Sequence, residues 1–116
     1  MTLYRIYWKD EISCAHKLNL PYSSKSNNLH GHNYKIQIEV SDSDLNENGM
    51  LIDFSQLKSI VRELDHQYLN DFLDQPTAER LAEYIHSKVK DAINSVYPHI
   101  NVHVWEDERS RATYED

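Results

Sequence analysis

Cysteine, glycine and proline are scarce in this chain of 116 residues, with one, two and three copies respectively. Cys14 alone can build neither an internal disulfide framework nor a multi-cysteine metal site within one chain. Any metal would therefore be held mainly by histidine or carboxylate. Gly31 and Gly49 stand at local turns or close approaches, and no Pro/Gly-rich linker, repeat or low-complexity tract divides the sequence. The chain is accordingly read as one domain over residues 1–116, large enough for one modest core. Long apolar runs are missing too, since none approaches the roughly 20 residues of a membrane span. The start MTLYRIYWKD has neither the basic opening nor the apolar stretch of a secretory signal. A cytoplasmic protein without membrane association is expected.

Positive charge is also in deficit. A formal charge of -7 sets up a field that repels polyphosphates, which argues against nucleic acid and anionic membranes as partners. Its distribution is uneven, because no Asp or Glu lies between Glu11 and Glu39, where Lys17, Lys25 and Lys35 accompany three of the seven histidines. That segment could receive an anion, or it could be a solvated polar loop.

Tyr4, Ile6 and Trp8 alternate with polar neighbours, and NYKIQIEV at 33–40 alternates cleanly, which is the period-2 pattern of half-buried strands. If the second strand extends back to residue 30, His30 and His32 share the covered side with Tyr34, Ile36, Ile38 and Val40. The turn-rich SDSDLNENG stretch (41–49) ends that strand. Asp53 followed by Gln56 matches a capping box, and Phe54, Leu57, Ile60, Val61 and Leu64 follow at helical spacing. A second helix is expected after Pro76 with Thr77 as N-cap, its apolar stripe running from Ala78 to Val96 and its end at Tyr97-Pro98. Ile100, Val102 and Val104 predict a third strand, and DERSRATYE a short fourth. The order β-β-α-α-β-β predicts an α+β fold, an antiparallel sheet with both helices on one face. Its two open edges call for protection, and pairing with further copies predicts a symmetric oligomer.

Chemistry concentrates at His30-Gly31-His32, where two imidazoles on one side of a strand can converge on a metal ion. Gly31 permits close approach, and His16 could complete a three-histidine site with one coordination position left open, the arrangement of a catalytic zinc. A hydrogen-bonded or surface pair is the alternative. Asp65-His66 supplies a carboxylate beside an imidazole, the elements of a general acid or base, or else a helix-end charge pair. Glu106 closes an apolar strand and could accept two hydrogen bonds from an amino-pyrimidinone edge, or stand as an ordinary exposed glutamate. Asp42, Asp44 and Asn46 imitate the start of a calcium loop. Glu47 in place of glycine and Asp53 in place of glutamate argue for a turn instead.

Taken in order, CAH at 14–16, KSNNLHGHNYK at 25–35, GMLIDFSQLK at 49–58, LDHQYLN at 64–70, PTAERLA at 76–82 and WE at 105–106 resemble the 6-pyruvoyl and 6-carboxy-tetrahydropterin synthase family over nearly the whole chain. The resemblance implies the tunnelling fold, with subunit sheets joined into a barrel as a trimer or a dimer of trimers. It implies zinc on His16, His30 and His32, an acid/base pair at Asp65 and His66, and Glu106, Thr77 and less directly Glu79 as pterin contacts. The implied substrate is a pterin triphosphate, 7,8-dihydroneopterin triphosphate, and the implied branch is 6-carboxy-tetrahydropterin synthase, towards 7-deazaguanine compounds such as queuosine. The 6-pyruvoyl synthase is the nearest alternative. Lys17, Lys25 and Lys35 become candidates to attract the triphosphate.

The sequence departs from the family at one position. Where the block before HGH normally carries a proton-transferring cysteine, this chain has Ser26, and an unactivated hydroxyl supplies no base near neutral pH where a thiol of pKa about 8.5 does. Three readings remain open. Cys14 or His66 replaces the thiol, or a related pterin reaction does without that transfer, or the chain binds zinc and pterin without turnover.

Overall fold

Every second residue from Tyr34 to Val40 is fully buried, so the alternation read from the sequence is the alternation of the sheet. The computed structural model describes residues 2–116 as β1 (Tyr4–His16), β2 (His30–Asp42), α1 (Phe54–Arg62), α2 (Ala78–Ala92), β3 (His99–Trp105) and β4 (Arg111–Glu115). The four strands form one antiparallel sheet in the order β1-β2-β3-β4. Ile12, Cys14, the even residues of β2, and Ile100, Val102 and Val104 of β3 face the helices. Leu57 and Val61 of α1 and Leu81, Ala82, Ile85 and Val89 of α2 close the core from above. Each such side chain removed from water contributes about 1.5–3 kcal/mol before conformational entropy is subtracted. Among the described residues, no helix is long and apolar enough to cross a membrane.

Both β1 and β2 are longer than their alternation alone marks out, 13 residues each. At about 3.3 Å per residue they run about 43 Å, most of the molecule's 50 Å long axis. The extra length matters for function. β3 pairs with β2 only from Lys35 to Ser41, so residues 30–34 continue as a two-stranded ribbon with β1 beyond the body of the sheet. In that ribbon His16 pairs with His30, and Cys14 with His32. Gly31 faces Ala15 where a Cβ would come within 3.2 Å of the Cys14 carbonyl oxygen, which gives the glycine a packing reason.

Two local expectations need correction. Asp53 does cap α1, but its side chain accepts from Ser55 N–H, while Gln56 N–H bonds the Asp53 backbone carbonyl, so no reciprocal capping box forms. The second helix ends at Ala92, well before Tyr97-Pro98, and Val96 is 77% exposed instead of lying on its apolar stripe. The reason is local competition: Ile93 is already extended, and the Ser95 hydroxyl bonds the Asp42 carboxylate rather than continuing the helix. Thr77, by contrast, is the N-cap as expected, its Oγ1 accepting from Arg80 N–H at 3.2 Å. The stretch from 43 to 50 is a turn, with Asn46 Oδ1 accepting from the Asn48 and Met50 amides and Gly49 at φ 79°.

Candidate metal centre and active site

Strand parity puts His30, His32 and Tyr34 on the helix side of β2, and antiparallel pairing brings His16 of β1 beside them. The three imidazoles form a triangle with ring centroids 4.5, 5.1 and 4.9 Å apart, and one ring nitrogen from each lies within 4.8 Å of the others. Backbone carbonyls fix two of the rings. His16 Nδ1 lies 2.7 Å from the Pro76 carbonyl and His30 Nδ1 lies 2.7 Å from the Asn28 carbonyl, which places a proton on each Nδ1 and makes each Nε2 the acceptor nitrogen of its ring. His16 is 1% exposed, and burial, reinforced by the neighbouring His30 and His32, holds its pKa below the usual histidine value despite the Pro76 carbonyl. Three imidazoles, each offering a ring nitrogen within 4.8 Å of the others, fit a divalent metal of the zinc type. The Tyr34 hydroxyl, 3.2 and 3.3 Å from the two His16 ring nitrogens, closes the buried side of the triangle. Tyr34 was missed in the sequence as a site residue, although its parity with His30 and His32 was the available signal.

Asp65 and His66 come from the turn after α1, which lies along the outer edge of β1. Ser13 N–H donates to Asp65 Oδ1 at 2.9 Å, His66 N–H donates to the Ser13 carbonyl at 2.7 Å, and Ala15 N–H donates to the Gln67 carbonyl at 3.0 Å. This docking sets His66 at φ 61° with its side chain 82% exposed and its Nε2 3.6 Å from Asp65 Oδ2. The Asp65 carboxyl is held below the ordinary carboxylate range, chiefly by the Ser13 N–H, with the His66 and Arg62 charges adding to it against desolvation. His66 and His32 line one open cleft of about 540 Å³ together with Asn33, Gln67 and Tyr68.

Glu106, just past β3, places Oε1 3.8 Å from His32 Nε2 and is 30% exposed at its side chain, neither buried nor fully solvated. Thr77 stands one residue beyond the Pro76 carbonyl that holds His16, and among the described residues its hydroxyl proton has no acceptor. Glu79 is exposed in the first turn of α2, where a carboxylate also complements the helix dipole. Ser26 lies half-buried in a short 3-10 turn (Lys25–Asn27), its carbonyl accepting from Leu18 N–H at 2.8 Å. Lys17 and Lys25 are exposed on the segment between His16 and His30. Lys35 points to the opposite face of the sheet, in a cleft with Lys9, Glu11, Trp105 and Asp107, so the three lysines do not form one group.

Cys14 shares parity with His16, but its thiol is spoken for. Sγ donates to the Leu64 carbonyl at 3.0 Å, the residue is 6% exposed, and burial first and the Asp65 charge further push its pKa up to about 11. A thiol so placed gives no thiolate near neutral pH, which removes Cys14 as a relocated base.

A profile of the family described as 6-pyruvoyl tetrahydropterin synthase matches residues 5–116. The 6-carboxy-5,6,7,8-tetrahydropterin synthase of Haemophilus influenzae is 30% identical to this chain, over 98% of it and 100% of the relative. The dihydroneopterin monophosphate aldolase of Pyrococcus furiosus is also 30% identical, over 74% of this chain and 75% of its own. The structure of Caenorhabditis elegans 6-pyruvoyl tetrahydropterin synthase superposes with a TM-score of 0.76 at 24% identity, covering 100% of this chain and 97% of that one. At that identity the last likeness speaks for the fold alone.

Proposed function

The chain belongs to the 6-pyruvoyl tetrahydropterin synthase family, and from that premise we propose that it is a zinc-dependent lyase converting 7,8-dihydroneopterin triphosphate to 6-carboxy-tetrahydropterin. The observation that carries this reading is the triangle of His16, His30 and His32, two of its rings pinned through Nδ1, with His32 also lining the cleft that His66 lines. These three residues would hold the metal, which when bound supplies a Lewis acid that makes substrate hydroxyl protons easier to remove.

The chain's own groups then divide the work. His66, exposed to the cleft, takes and returns the proton, and ionised Asp65 stabilises the imidazolium that results. Glu106 accepts hydrogen bonds from the amino-pyrimidinone edge of the pterin, and the free Thr77 hydroxyl proton offers a further contact, with Glu79 at the margin. Ser26 stands where relatives carry the proton-transferring thiol and offers only a hydroxyl, so His66 serves as the base. The protein works as one unit over residues 1–116 in the cytoplasm, as a trimer or a dimer of trimers, since the β1 edge from Tyr4 to Lys9 and the outer edge of β4 are unpaired among the described residues.

Ser26 and the aldolase relative favour a second reading, cleavage of a carbon–carbon bond in a dihydroneopterin side chain without the thiol-dependent transfer. Incubation of the zinc-loaded protein with dihydroneopterin triphosphate and with dihydroneopterin monophosphate, products followed by mass, separates the two. Formation of the 6-carboxy product, lost on chelation and restored by zinc, is expected. A pyruvoyl product would move the assignment to the 6-pyruvoyl branch, and aldol cleavage of the monophosphate alone to the second reading. Saturable pterin binding with no product, and turnover appearing only in Ser26→Cys, would identify a binding protein that has left the family's chemistry.

A further inference from the structure

Arg62, the last residue of α1, has no part in the mechanism above, yet the geometry of Asp65 converges on it. Nη1 lies 3.3 Å from Asp10 Oδ2 and donates to the Glu11 carbonyl at 3.2 Å, while Nη2 lies 3.1 Å from Asp65 Oδ2. The other Asp65 oxygen accepts from Ser13 N–H. Both carboxylate oxygens are thus tied to β1, one directly and one through the guanidinium. Oδ2, the oxygen that Arg62 holds, is also the one facing His66 Nε2, and the exposed imidazole has no other side-chain partner among the described residues. A planar fork braced on a strand carbonyl fixes the direction of a carboxylate in a way a flexible ammonium does not.

We propose that Arg62 is the positioning residue of the Asp65–His66 pair, bracing the carboxylate on β1 so that one oxygen stays ionised and aimed at the imidazole. The inference rests on the reading that this pair moves the proton. The groups facing Asp65 are Arg62 from α1, the Ser13 amide and the Cys14 thiol from β1, and His66 itself, with Asp10 on the far side of the guanidinium. Arg62 is the one permanent charge of opposite sign touching the carboxylate among the described residues.

The test compares Arg62→Gln and Arg62→Lys in the zinc-loaded protein by steady-state kinetics and by carbon NMR titration of the Asp65 carboxyl. In Arg62→Gln the carboxyl should titrate at higher pH and kcat should fall by about tenfold to a hundredfold with KM within about twofold. Arg62→Lys should restore the titration in part and kcat only weakly, because an ammonium keeps the charge and loses the fork. An unchanged Asp65 titration in Arg62→Gln, or an equal loss of kcat in both variants that merely follows a loss of folded protein, overturns the proposal. If the parent turns over no pterin, the functional reading fails by itself, and the carboxyl titration still decides whether Arg62 governs Asp65.

Discussion

His66 is the one non-glycine residue with positive φ among the described residues, and a left-handed backbone at a residue with a Cβ costs roughly 1–2 kcal/mol. The turn tolerates this because His66 N–H and the Asp65 carboxylate complete the hydrogen bonding of the β1 edge at Ser13. The strain therefore belongs to the position and not to the imidazole. His66→Gly and His66→Ala both remove the ring, but only glycine removes the strain. His66→Gly should unfold in urea with a stability about 1 kcal/mol above His66→Ala, after the greater flexibility of glycine in the unfolded chain is set against the relief. Both should lose activity alike. Equal stabilities would mean that the turn is not strained by its side chain, and that the backbone at 66 was never held against its preference.

At the scale of elements, the segment between His16 and His30 is held by side chains rather than by secondary structure. The Asn70 amide bonds both the amide and the carbonyl of Lys17, at 3.0 and 2.9 Å, and the Gln75 amide does the same for Asn19, at 2.9 and 3.3 Å. Each imitates one rung of a β-ladder and fastens the chain leaving His16 to the segment that leads to Pro76 and Thr77. Since Lys17 and Asn19 are exposed, water replaces part of each lost pair, and Asn70→Ala should cost about 1–2 kcal/mol. Amide exchange between residues 17 and 28 should quicken more than in the core strands, and zinc affinity should fall. Protection at 17–28 matching the parent would show that the segment is held without the clamp. This clamp explains what could be read from the sequence and what could not. The strand at 33–40, the helix after Thr77 and, once that strand runs back to residue 30, the convergence of His30 with His32 follow from periods of two and 3.6, which are local. Arg62, Asn70 and Gln75 act on residues about 50 positions away and leave no periodic trace. The overrun assigned to α2 has the opposite cause, because Ile93 and Val96 continue the apolar spacing while Ser95 has already turned to Asp42.

Over the whole molecule, buried titratable groups bracket the pH range in which the metal-free fold is stable. On the acid side, burial lowers the pKa values of His16 and His86, so as pH falls below about 6.5 the unfolded chain binds protons that the folded chain does not, and stability drops. Carboxylates held low, Asp65 and the cap Asp53 among them, extend that loss below about pH 4. The alkaline side runs on the opposite sign. Cys14 rises from 9.0 to about 11 and Tyr34 rises further, both mainly through burial, so the unfolded chain ionises first and stability is lost as pH climbs past about 9. For Cys14 the two-unit gap corresponds to about 2–3 kcal/mol, reached near pH 11. Urea unfolding of the metal-free protein from pH 5 to 11 should give a plateau between about 7 and 9 with a decline on either side. In Cys14→Ala the alkaline decline should begin about one pH unit later, where Tyr34 ionises in the unfolded chain, while the acid limb stays in place. An alkaline limb that starts as early in the variant as in the parent would remove Cys14 from this account and leave Tyr34, the residue against His16, as the main alkaline group of the core.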